Sequence, residues 1–76
     1  MYHIIICEKT TGIVLELDRK THFNKTNTNI RPSINFSTLE KAEGKAVSLV
    51  KNANDIEIVI YDENWSFIKL IAALPS

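Results

Sequence analysis

The chain has 76 residues, 45% hydrophobic and 24% charged, with a formal net charge of zero. That length suits one small domain and excludes two, and the charge balance lacks the basic excess of a dedicated nucleic-acid binder. The lone Cys7 excludes an intrachain disulfide, and Cys7, His3 and His22 are too few soft ligands to suggest a metal.

A domain of this size buries only about 60% of its unfolded surface. A partner, most simply a second copy in a homodimer, is the expected supplement. No apolar run approaches the roughly 20 residues of a membrane span, and the run from Tyr2 to Cys7 is too short for a secretory signal. A reduced, cytoplasmic location is therefore expected. The Asn-x-Ser/Thr triplets at Asn24, Asn35 and Asn64 then read as chance in a chain rich in Asn and Thr.

Residues 2–7 form a nearly continuous apolar run with β-branched members, which predicts a strand. Gly12 suits the left-handed position that closes a bulged hairpin loop. Residues 13–18 alternate, with Ile13, Leu15 and Leu17 on one side, and predict the returning strand. Whether Ile4 and Ile6 or Ile5 and Cys7 share the Leu15 face is open by one residue of register.

Residues 19–33 read as a polar, basic loop. Pro32 argues against a central strand, although Ser33 to Phe36 suits a short edge strand. Ser37-Thr38-Leu39-Glu40 has the pattern of a capping box with Ser37 as the cap. Leu39, Ala42, Ala46, Leu49, Val50 and Ala53 then recur at helical spacing and predict one apolar stripe.

Residues 55–72 predict a second hairpin with Asp62-Glu63-Asn64 as its loop. That register sets Tyr61 against Trp65, Val59 against Phe67, Ile58 against Ile68 and Ile56 against Leu70. It also makes Glu57 and Lys69 a cross-strand ion pair. Ile56, Ile58, Ile68 and Leu70 then face the helix, and Tyr61, Trp65, Phe67, Val59 and Ile71 share the other face. The expected architecture is a two-layer α+β domain over residues 1–76. It has an antiparallel β-sheet of four to five strands with one helix on one face.

Two resemblances bear on that order. From Phe36 onward, Phe-Ser-Thr-x-Glu-x-Ala, a helix, an apolar strand, Asp62 and a short strand resemble some very small bacterial domains of unknown function. The likeness covers roughly the last half of the chain and implies only the topology. The length and first hairpin also resemble ubiquitin-like grasp folds, but an Asn/Thr loop replaces the early helix and the tail lacks Gly-Gly, so conjugation is not implied.

The sheet has apolar side chains on both faces and a single helix to cover them. Tyr61, Trp65, Phe67, Val59 and Ile71 are therefore the candidate protein-interaction surface. The bland alternative is a second small core covered by the loop 19–33. An alternative site is a nucleic-acid surface built from Arg19, Lys20, Lys25 and Arg31 in the loop and Lys41 and Lys45 on the helix.

Catalysis finds no support. His3 and Cys7 lie about 13 Å apart along one strand, and Asp62 with Glu63 suits a turn. No catalytic residue, metal ligand or cofactor is assigned. The expectation is a noncatalytic interaction or accessory module.

Overall fold

The computed structural model describes residues 1–18, 20–23, 32–51 and 53–72. Among them are the strands β1 (Tyr2–Glu8) and β2 (Ile34–Phe36), the helix α1 (Leu39–Val50), and the strands β3 (Ile56–Tyr61) and β4 (Phe67–Ala72). The strands form one antiparallel sheet in the order β2-β1-β3-β4. The fold is the expected α+β arrangement of one helix on a four-stranded sheet. Because β2 and β3 both run antiparallel to β1 on its two sides, they are parallel to each other. The helix joins them as the crossover that parallel strands require.

The core lies between α1 and the sheet. Ile4, Ile6, Leu15, Ile56, Ile58 and Ile60 meet Ala42, Ala46 and Val50 of the helix there. The small Ala42 and Ala46 let the helix axis approach the sheet, and Leu39, Leu49 and Ala53 complete the predicted stripe. Ile4 and Ile6 thus share the Leu15 face, which decides the open register of the first hairpin. The helix starts one residue later than the capping-box pattern implies. Thr38, in extended conformation, is the N-cap, and its Oγ1 accepts from the Lys41 amide at 3.2 Å. Either adjacent hydroxyl is a competent cap, and with Thr38 in the role the N3 residue is Lys41, so no Glu returns the bond.

The returning strand 13–18 is shorter than expected. The Glu8 amide donates to the Ile13 carbonyl and the Leu15 amide to the Ile6 carbonyl, with Gly12 in the predicted left-handed conformation at φ 74°. Pairing then stops, because β2 takes the same edge of β1 opposite Tyr2, His3 and Ile4. A seven-residue strand has no room for both. Residues 14–16 pair outward instead, with Leu15 opposite His22 and the Phe23 amide donating to the Val14 carbonyl. Leu15 is buried, whereas Ile13 and Leu17 are exposed.

The β3–β4 hairpin corrects the predicted register. Ile58 faces Ile71, Val59 faces Leu70, Ile60 faces Lys69 and Tyr61 faces Phe67, with an irregularity that leaves Ile68 as an extra residue. The Asp62 amide donates to the Ser66 carbonyl and the Trp65 amide to the Asp62 carbonyl, so the loop proper is Glu63-Asn64-Trp65. Asp62 Oδ1 accepts from the Asn64 and Ser66 amides at 2.8 and 2.9 Å, so the side chain that looked like a loop residue closes the turn. Beyond Ile68 the shift against the predicted register is odd, which exchanges the two faces of β4. Ile71 packs on the helix-side core and Leu70 points away from it. The expected Glu57–Lys69 pair is absent, and Lys69 Nζ reaches Glu43 Oε1 of the helix at 3.0 Å.

Candidate interaction surface

The sheet face away from the helix is built by alternation. Direct partners in an antiparallel pair point to the same side, so His3 joins Asn35 and Tyr61, Ile5 joins Val59 and Leu70, and Cys7 joins Glu57 and Ala72. Exposure along this face is uneven. Ile5 is 1% exposed and Cys7 is also buried, whereas Phe67 is 63% and Leu70 47% exposed. The β1 side is therefore covered and the β4 side is open.

Trp65 crowns the open side. Its ring stacks on His3 with centroids 4.1 Å apart and planes 4° from parallel, and it meets Tyr61 at 5.7 Å and 50°. His3 Nδ1 in turn bonds Asn35 Oδ1, so the stack is tied to the edge strand β2. Trp65 itself occupies the left-handed region with φ 61°. A three-residue hairpin loop of type I turn plus left-handed residue places that conformation at its last position, where Gly is favoured. An indole there is held in a costly backbone state while its ring stays 42% exposed.

The candidate residues divide as follows. Tyr61, Trp65, Phe67 and Val59 lie together on the open face, and Ile71 belongs to the helix side. Leu70, which the sequence register assigned to the core, joins them. Asp62, able to close the turn against Ser66, hinted at the shifted loop, but nothing in the sequence marks the extra residue Ile68 that turns Leu70 to this face.

Of the alternative basic set, Lys41 and Lys45 are exposed on the helix layer and Lys20 is exposed beside the Asp18 turn. Arg19, Lys25 and Arg31 lie outside the described residues. Lys69 is engaged by Glu43 on the helix side. Among the described residues Glu57 lies on the open face opposite Cys7, His3 stands in the stack, and Glu63 of the turn is met by the Met1 ammonium at 3.6 Å. This is a largely apolar surface.

Elsewhere, the carboxylates serve loops. Asp18 accepts from the Thr21 hydroxyl and from the Thr21 and Lys20 amides, which lowers its carboxyl to about 2. Glu8 is likewise lowered, first by the Thr11 hydroxyl and then by His22 at 3.2 Å. Among the described residues no cluster of three or more His, Cys, Asp or Glu is placed to hold a metal, and no helix is long and apolar enough to cross a membrane.

No protein family, curated protein or solved structure matches this chain.

Proposed function

We propose that this protein is a noncatalytic, cytoplasmic interaction module that self-associates through the open face of its β3–β4 hairpin. One observation carries the reading: Trp65, Phe67 and Leu70 stand 42%, 63% and 47% exposed, side by side on one sheet face. Burying such side chains removes apolar area from water at about 25 cal/mol per Å², and aromatic anchors dominate contact energies. A second copy brings the same apolar patch, and a two-fold arrangement joins the two patches.

A nucleic-acid contact is less well supported. Phosphate binding needs cations, and Lys41 and Lys45 occupy the opposite layer while Glu57 lies on this face.

Light scattering on the purified chain and on Phe67→Ser tests the reading. Phe67 makes little of the core, so the variant is expected to keep its circular dichroism and lose most of its association. An unchanged dimer in Phe67→Ser, or a strict monomer for the parent chain at high concentration, would refute it.

A further inference from the structure

We infer that two copies join edge to edge along β4, so that the open faces merge in one continuous eight-stranded sheet; this deepens the self-association proposed above and rests on it. The two edges of the sheet are treated differently. At the β2 edge the strand has three residues and carries a polar Asn35, and the rest of that side of β1 is taken by residues 13–15. At the other edge β4 runs six residues, about 20 Å, with no proline, and among the described residues no strand pairs with its outer side.

Long apolar edges are usually guarded by an outward lysine or a bulge. The one charged side chain of β4, Lys69, is drawn across the helix face to Glu43. The extra residue Ile68 disrupts only the half next to the turn and leaves Lys69 to Ala72 in regular pairing.

Hydrogen-bond parity identifies which main-chain groups are on offer. The Asp62 amide bonds across the hairpin to Ser66, so on β3 the groups of Ile60 and Ile58 also point to β4, while those of Val59 and Glu57 point to β1. The same parity on β1 is borne out by the Ile6 carbonyl, which points to the opposite edge and accepts from Leu15. Leu70 and Ala72, opposite Val59 and Glu57, therefore present their N–H and C=O groups outward.

A two-fold axis at Leu70 fits these groups to themselves. The two Leu70 residues then exchange both backbone hydrogen bonds, and Lys69 of each copy stands opposite Ile71 of the other, so no like charges meet head-on. Both Leu70 side chains lie on the open face beside Phe67 and Val59, which doubles the apolar stripe. A strand edge alone buries less than the ~1,200 Å² of a standard stable complex, so this dimer is weak and concentration-dependent.

Amide hydrogen exchange, read residue by residue by NMR at low and high protein concentration with the mass measured on the same samples, tests the inference. When nine-tenths of the chains are dimeric, the Leu70 amide is expected to slow about tenfold, because only the monomer exposes it. The Ile71 amide, which points to β3, keeps its rate. In Leu70→Pro the donor is removed from a position that β3 does not use, and the dimer is expected to be lost with the circular dichroism retained. A dimer in which the Leu70 amide exchanges equally fast at both concentrations would overturn edge pairing and leave association through the face standing. A chain that stays monomeric throughout would overturn both.

Discussion

Trp65 offers a direct test of how the hairpin turn is built. Replacing it with Ala removes the stack on His3 but keeps the left-handed backbone strain, whereas Gly removes both. At 42% exposure, somewhat over half of the residue is covered. Tryptophan buries up to ~250 Å², so roughly 140 Å² returns to water, about 3.5 kcal/mol at 25 cal/mol per Å². Compact denatured chains reduce that to about 2–3 kcal/mol for Trp65→Ala.

Glycine then recovers the left-handed penalty of about 1–2 kcal/mol and gives back about 0.5–1 kcal/mol through its freer unfolded chain. The Gly variant should therefore be about 0.5–1 kcal/mol more stable than the Ala variant. Urea unfolding at a concentration where the chain is monomeric measures both. With a slope near ~1 kcal/mol/M, Ala should lower the midpoint by about 2–3 M and Gly by about 0.5–1 M less. A Gly variant no more stable than the Ala variant would refute the strain assigned to Trp65. The whole domain has only about 4–11 kcal/mol to lose, so these are large effects on a chain that still folds.

Thr38→Ala should cost about 1 kcal/mol and Ser37→Ala close to nothing, measured by the same unfolding; the reverse order would return the helix cap to Ser37. Gly44 sits on the exposed helix face with open space where a Cβ would go, so Gly44→Ala should raise stability by about 1 kcal/mol, visible as a higher thermal midpoint. The Asp18 carboxyl should titrate near 2 by NMR instead of its ordinary 3.8, because the Thr21 hydroxyl and the Thr21 and Lys20 amides favour its charged form. Its folded value lies below its unfolded one, so its contribution to stability is complete above about pH 4 and is lost as pH falls toward 2. In Thr21→Val the Asp18 titration should move back up.

Much of the layer order was legible because the apolar patterns are strong. The Ile4–Ile5–Ile6 run, the stripe Ala42, Ala46 and Val50, and the alternation Ile56, Ile58, Ile60 each admit one element, and all three build the core. The errors came where two local solutions were nearly equal. Ser37 and Thr38 are both good caps, and the structure uses the second. In the β3–β4 hairpin, matching Glu57 with Lys69 favoured a register that the turn does not adopt, since Asp62 closes the loop and a tryptophan takes the left-handed position.

Ile68 then shifts the pairing by one more residue, which no composition rule announces. The open face was thus foreseen with Tyr61, Trp65, Phe67 and Val59, while Ile71 and Leu70 exchanged sides. The shortened return at residues 13–18 has a different cause. It is a competition with β2 for one edge of β1, and only the assembled sheet decides it.

The central claim is that this surface meets a second copy of itself. Sedimentation equilibrium of the parent chain over a wide concentration range tests it most directly. The account predicts a reversible rise from the 8.6 kDa of one chain toward twice that mass, and a mass that stays at one chain at the highest concentration reached would contradict it.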